Sequence, residues 1–146
     1  MRSVKLRSVK LRSVSKFGNK KVECCGYKFD SLAEAKHYYY FLRPLEKAGE
    51  ITRLELQPVF QIEIRGKKIC KYRADFQYFD KSAIGPDGQK GALVVVDVKG
   101  FRTAIYRLKK KLVEASFPGV KIVEIDANRY RSNKYSLPSA LPAVLK

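Results

Sequence analysis

Tryptophan is absent from the 146-residue chain, and histidine and methionine occur once each. Cysteine occurs three times, as Cys24, Cys25 and Cys70. An odd count with an adjacent pair makes a poor disulfide framework. With no CxxC spacing, the single histidine, His37, cannot complete a zinc set. Reduced thiols in a cytoplasmic protein are the expectation. No apolar run is long enough to span a bilayer, and the N-terminus lacks the apolar segment of a secretory signal. The acid-free stretch before Glu23 has only a mild likeness to a transit peptide, without a cleavage-site pattern. Acidic residues are scarce as well, with 14 Asp and Glu against 31 Lys and Arg, a formal charge of +17. Such an excess costs self-repulsion and points to a polyanionic partner, nucleic acid ahead of a membrane surface.

What is present is enough for a folded core, since 45% of residues are hydrophobic and 12% aromatic, without a long polar tract. Residues 1–20 are expected to be a flexible basic arm. They repeat Arg2-Ser3-Val4-Lys5-Leu6 as Arg7-Ser8-Val9-Lys10-Leu11 and then Arg12-Ser13-Val14. Period five matches neither helix nor strand. The arm either tracks phosphates or is an idle solvated tail. A folded domain is expected over 21–127 and a basic, Pro-containing, loosely packed tail over 128–146. Asp30-Ser31 offers N-cap chemistry, and Glu34 completes a capping-box pattern for a helix from Leu32 to Ala48, with Pro44 kinking it. Strands are expected at 51–56 and 59–64, then one long strand over 69–79 containing Asp75. A loop over 80–91 and a buried strand over 93–98 follow. A helix over 103–116 is expected to bury Ile105, Leu108, Leu112 and Ala115, before a last strand over 120–125. The order predicts an α/β sandwich around a mixed sheet.

The chemistry concentrates in Val94-Val95-Val96-Asp97-Val98-Lys99-Gly100. Strand geometry turns Asp97 and Lys99 to one face and the valines at 94, 96 and 98 to the other. A carboxylate and an ammonium on an apolar central strand are costly unless paired or used. Asp75 adds a second carboxylate on a neighbouring strand, and two such groups repel unless a cation lies between them. Mg²⁺, with Mn²⁺ as the alternative ion, takes one or two carboxylates plus waters. Lys99 would then balance charge at a phosphate or a bound water. Structural ion pairing of Asp97 with Lys99, or of Asp75 with Arg73, is the plain alternative. So is a purely capping role for Glu34. His37 shares the helical face of Glu34 and reads as a partly exposed histidine. Gln57, before Pro58, could reach the site edge. The run Tyr38-Tyr39-Tyr40-Phe41 cannot face inward as a whole. Arg73, Arg107, Lys109, Lys110 and Lys111 are candidates for backbone contacts to DNA, which position without specifying sequence.

Asp75 followed by Asp97-x-Lys99 resembles the PD-(D/E)XK nuclease signature, with Ala74-Asp75 in place of Pro-Asp and Asp as the second acid. Phe29-Asp30-Ser31-x-x-Glu34, Leu56-Gln57-Pro58 and Val96-Asp97-Val98-Lys99-Gly100-Phe101 look similar to small phage endonucleases. These include Holliday-junction resolvases, along with the related transposon-end-cleaving nucleases. The resemblance covers about residues 19–126. It implies a restriction-endonuclease-like αβββαβ core and a Mg²⁺-dependent endonuclease acting on DNA, branched DNA among the candidates. It also implies Asp75, Asp97 and the Val98 carbonyl as metal ligands, Glu34 as a further metal or water ligand, and Lys99 as a catalytic residue. A homodimer would serve paired cuts, and a phage-encoded chain would work in the host cytoplasm. The alternative is a nucleic-acid-binding protein on a nuclease fold without turnover.

Deleting residues 1–16 removes Arg2, Lys5, Arg7, Lys10, Arg12 and Lys16. If the arm lies on phosphates, DNA binding weakens and the slope of log affinity against log salt falls by up to about 5. Titrations at several salt concentrations test this, and an unchanged slope would show the arm to be idle.

Overall fold

The computed structural model describes residues 20–138. The repeat arm and residues 139–146 of the expected tail lie outside the described residues. The chain enters through a short hairpin, β1 (Val22–Cys24) and β2 (Tyr27–Phe29), which turns at Cys25-Gly26 with both φ angles positive (54° and 81°). Helix α1 (Leu32–His37) is capped by Ser31, whose hydroxyl accepts the Glu34 N–H at 3.2 Å. The expected single helix is interrupted by a π-helical turn, Tyr38–Leu42, before α2 (Arg43–Lys47). Pro44, at the start of α2, has no N–H to return to the preceding turn. The Arg43 N–H reaches back to the Tyr38 carbonyl instead. A left-handed Gly49 (φ 73°) follows the helix end.

A central mixed sheet of four strands follows, in the order β3 (Ile51–Leu56), β6 (Phe76–Ile84), β7 (Lys90–Lys99) and β8 (Ile122–Asp126). The first three are antiparallel neighbours, and β7 and β8 run parallel, joined through α3 (Ala104–Ser116). Between β3 and β6 the chain inserts a separate two-stranded ribbon, β4 (Val59–Ile64) with β5 (Lys67–Arg73).

The expected long strand over 69–79 is therefore two strands, broken at Ala74-Asp75. The break is held by hydrogen bonds made outside a ladder. The Asp75 N–H donates to the Val96 carbonyl at 3.1 Å, and its carbonyl accepts the Gln57 N–H at 2.9 Å. The expected loop over 80–91 shrinks to 85–89, because the Asp80 carboxylate caps the N–H groups of Ser82 and Ala83 and carries β6 through a bulge.

The sheet is covered on both faces. On one, Phe76, Val96 and Val98 pack with Phe29, Ala35, Tyr38, Leu42 and Tyr130. On the other, Val95 and Ile122 pack with Tyr106 and Val113 of α3 and with Ile62 and Tyr72 of the ribbon. Of the expected buried stripe of α3, Leu112 packs against the core, but Ile105, Leu108 and Ala115 do not. Ile105 and Leu108 are 68% and 59% exposed, whereas Tyr106 and Val113 are buried. Positions 106, 109, 110 and 113 form an equally good helical stripe, because lysine stems at 109 and 110 can cover apolar surface.

Two further expectations are corrected by the C-terminal segment. Short 3₁₀ turns at Ala127–Arg131 and Asn133–Tyr135 lie against α1 and the π turn, and Tyr130 is 2% exposed. This part of the chain is thus packed rather than loose. His37 is buried, not partly exposed: its Nδ1 lies 2.6 Å from the Tyr130 hydroxyl, and its ring packs on Phe41 and Phe76. Burial beside Arg129 pushes the imidazole down to about 4. Tyr135 covers Tyr40 and Phe41, so the aromatic run is shielded from within the chain.

Tyr130→Ala is expected to cost about 3–5 kcal/mol, the range for removing a buried aromatic side chain. Tyr130→Phe should cost about 1–3 kcal/mol, the penalty for an unpaired buried group at His37. Urea unfolding of both variants measures this, and near-wild-type stability of Tyr130→Ala would show the segment to be dispensable.

Candidate active site

The C-terminal ends of β7 and β8 meet the N-terminal ends of α1 and α3 at an open cleft of about 780 Å³. Its walls include Ser31, Glu34, Lys36, Val98, Lys99, Phe101, Thr103, Tyr106, Asn128 and Arg131. Thr103 caps α3 by accepting the Tyr106 N–H at 3.1 Å, and the first turn of that helix carries no acid. The positive end of the helix dipole therefore faces the cleft uncompensated by its own residues.

Asp97 is the unusual group. Its side chain is 0% exposed, on the α3 face of the innermost strand pair, and neither carboxylate oxygen accepts a hydrogen bond among the described residues. Lys99 Nζ lies 3.2 Å from Oδ1, an ion pair without hydrogen-bond alignment. The same ammonium sits 4.8 Å from the centre of the Tyr106 ring. Burial raises the Asp97 carboxyl, and Lys99 only partly offsets it. Asp75 is raised by burial too, while Lys99 and the Val98 N–H pull it down. That N–H donates to Asp75 Oδ2 at 2.7 Å, which ties Asp75 to the backbone between Asp97 and Lys99. Asp75, Asp97, Val98 and Lys99 therefore converge. Asp75 and Asp97 do not line the cleft; Val98 and Lys99 do.

Glu34 stands on the opposite wall and is engaged in the helix cap. Its Oε1 accepts the Ser31 hydroxyl at 2.9 Å and its Oε2 accepts the Asp30 N–H at 3.2 Å. Burial, followed by repulsion from Asp75, pushes its carboxyl up to about 7. The capping role is thus occupied, and Glu34 still lies within electrostatic reach of Asp75. Among the described residues, no three His, Cys, Asp or Glu side chains gather closely enough to make a metal cage by themselves. The neighbouring carboxylates are the buried Asp97 and the half-buried Asp75, on either side of the Val98 backbone. They suit a hard dication that takes one or two carboxylates and completes its shell with water. The buried Asp97 oxygens, which have an ion pair but no well-aligned hydrogen bond among the described residues, are the observation in favour of that fit.

The expected DNA contacts are distributed differently. Arg73 pairs with Asp30 at 2.6 Å. Lys109 donates to the Lys71 carbonyl at 2.9 Å, and Lys110 sits between Glu114 (3.5 Å) and Glu124 (3.7 Å). Lys109 and Lys110 are half-buried fold contacts, which leaves Arg107 and Lys111 as the exposed cations of that helix. Gln57 does not line the cleft, but its backbone holds Asp75. Lys36 and Arg131 on the cleft wall escaped the sequence reading. Arg131 sits in a stretch that looked like tail, and Lys36 in a helix whose register against the cleft cannot be read from spacing.

A family model described as a protein of unknown function (DUF1064) matches residues 14–136, and the chain belongs to that family. Comparison with curated proteins and with solved structures finds no match.

The raised Glu34 carboxyl has a pH signature. Between about 4.5 and about 7 the folded protein holds a proton that the unfolded chain has released, so the Glu34 contribution to stability falls as pH rises. Glu34→Gln, which keeps an acceptor for the Asp30 N–H, should therefore gain on wild type across this window, by up to about 3 kcal/mol, and then level off. Denaturant titrations of both proteins from pH 4 to 8 without metal test this, and parallel curves would refute it.

Proposed function

We propose that the protein is a Mg²⁺-dependent endodeoxyribonuclease of the PD-(D/E)XK kind, hydrolysing phosphodiester bonds of DNA, with Mn²⁺ as an alternative ion. The observation that carries the reading is the Asp97 carboxylate, 0% exposed on the inner strand, with the Lys99 ammonium at 3.2 Å as its charge partner and Asp75 bound beside it to the Val98 N–H. A fully buried carboxylate is costly even when ion-paired, which favours a use for it beyond structure. The element order supports the same reading. Helix, strand, ribbon, two strands, helix and a final parallel strand follow the αβββαβ order, with the ribbon as an insertion.

In this proposal Asp75, Asp97 and the Val98 carbonyl would hold the ion. A bound Mg²⁺ supplies Lewis-acid polarisation of the phosphate and a more acidic water. Lys99, ion-paired with Asp97 in this structure, would offer its ammonium to the charge that develops on the phosphate. Asp97 is fully buried and does not line the cleft, so an ion could reach it only after a local rearrangement in which Lys99, 3.2 Å from Oδ1 and 25% exposed at the cleft, would move. Glu34, titrating near neutrality, is the group on the opposite wall able to take a proton. Arg131 and the α3 N-terminus would position the phosphodiester backbone. Four-way junctions are the branched substrate to try first, and two coordinated cuts would call for a homodimer.

Labelled four-way junction, duplex and single-stranded DNA, incubated with Mg²⁺ or EDTA, test the proposal. Cutting should require the ion and fall by about 100-fold or more in Lys99→Ala, the scale for losing a preorganised charge at the reacting group. Asp97→Asn should abolish cutting while the protein still folds cooperatively in EDTA, which an unfolding curve checks, because Asn keeps the side-chain volume and loses the charge that would hold the ion. Loss of the fold together with the activity would count against the assignment. Binding without cutting under either ion would establish the non-catalytic reading.

A further inference from the structure

The outer half of the β4–β5 ribbon has no packing partner among the described residues. Its inner half is held by Phe60, Ile62, Cys70 and Tyr72 against α3, but every residue from Glu63 to Ile69 is exposed. Ile64 and Ile69 are 49% and 52% exposed. Five cations, Arg65, Lys67, Lys68, Lys71 and Arg73, stand on the ribbon against a single acid, Glu63. Arg65, Lys67 and Lys68, at the tip, form no ion pair among the described residues.

The turn itself is informative. Ile64 and Lys67 close a two-residue loop, Arg65-Gly66, whose φ angles are both positive (51° and 77°). This is the geometry in which Asn or Asp is the unstrained choice before Gly. An arginine there carries backbone strain and places a cation at the point farthest from the sheet.

The root of the ribbon is equally informative. Both of its strands are anchored where Asp75 is held: the Ala74 N–H donates to the Pro58 carbonyl at 3.1 Å and the Gln57 N–H to the Asp75 carbonyl at 2.9 Å. Gln57 itself takes a left-handed φ of 55°, which sets the angle at which the ribbon leaves the sheet. The ribbon is thus rigidly coupled to the proposed metal ligand at one end and bears unpaired positive charge at the other.

We propose that the β4–β5 ribbon lies in a groove of duplex nucleic acid, with Arg65, Lys67 and Lys68 on backbone phosphates. The inference rests on the nucleic-acid substrate proposed above and adds how the duplex is held. A two-stranded ribbon fits the major groove, and the exposed Ile64 and Ile69 suit thymine methyl groups there. Six residue steps from Val59 to Arg65 span about 20 Å. At 3.4 Å per base pair, the tip meets the duplex about 6 base pairs from the phosphate at Asp75.

The test is binding of the full-length protein to duplex DNA in EDTA, followed by fluorescence anisotropy, so that cleavage is not needed for the readout. The variant Arg65→Asn/Lys67→Ser/Lys68→Ser relaxes the turn and should fold as well as wild type, which an unfolding curve checks. Its affinity should drop about 10-fold or more at physiological salt, and its log–log salt slope should fall by about 2–3. Duplexes trimmed to fewer than about 6 base pairs on the ribbon side should lose this difference between variant and wild type. Wild-type affinity and slope in the folded variant would overturn the proposal. So would a loss that does not depend on duplex length, or a change in self-association without a change in DNA binding. A protein that binds through the tip but never cuts refutes the nuclease reading and leaves the ribbon standing. One that cuts with an indifferent tip does the reverse.

Discussion

A carboxylate placed on a strand covered on both faces is the constraint around which the rest of the structure is arranged. Asp97 has no exposure, so compensation must come from within, and Lys99 supplies it from two residues along the same face. The Lys99 ammonium in turn lies over the Tyr106 ring. The Tyr106 hydroxyl donates to Glu124 on β8, and Arg102 and Lys110 pair with that carboxylate. The chain of contacts runs from β7 through α3 to β8, across both halves of the parallel crossover. It explains why α3 turns Tyr106 inward, at the cost of leaving Ile105 and Leu108 in solvent.

The helix on the other wall carries two ionisable groups driven in opposite directions. Glu34 and His37 are one turn apart and both buried, yet Glu34 rises to about 7 and His37 drops to about 4. Each is held neutral by burial, the acid by keeping its proton and the base by losing it. For His37 the unfolded chain binds the extra proton between about 4 and 6.5, so its contribution to stability grows with pH, opposite to that of Glu34. Glu34 opens on the cleft, where a cation can reverse its preference. His37 is closed off by Tyr130, so its role is packing.

Much of this was legible in the residues. Strand alternation placed Asp97 and Lys99 together, and the capping chemistry of Ser31 and Glu34 marked the start of α1, because both depend on neighbours in sequence. The misplaced features depend on partners distant in sequence. Asp75 reads as a strand residue until Gln57 and Val96 take its backbone bonds. A stripe through Ile105 and Leu108 competes evenly with one through Tyr106 and Val113 until Glu124 and Tyr72 select the aromatic one, with Leu112 packed beside it. Lys109 and Lys110 looked like a solvated basic face because their acceptors, the Lys71 carbonyl and Glu124, come from the ribbon and β8. Tyr130 gave no periodic signal at all, since a single ring in a 3₁₀ turn has no stripe to belong to.

The cleft takes its wall from Ser31 at one end of the chain and Arg131 at the other, with Lys36 donating to the Tyr130 carbonyl at 2.8 Å across the seam. Contacts separated by about a hundred residues form late, because the intervening loop must first be closed. On the ribosome, the first wall is complete while the second is still being made. The parallel strand β8 and its aromatic turn emerge after every other element that lines the cleft. A chain made only as far as β7 therefore has the inner strand but no closed cleft, and the cleft is completed only once β8 and the turn at Ala127–Arg131 have docked.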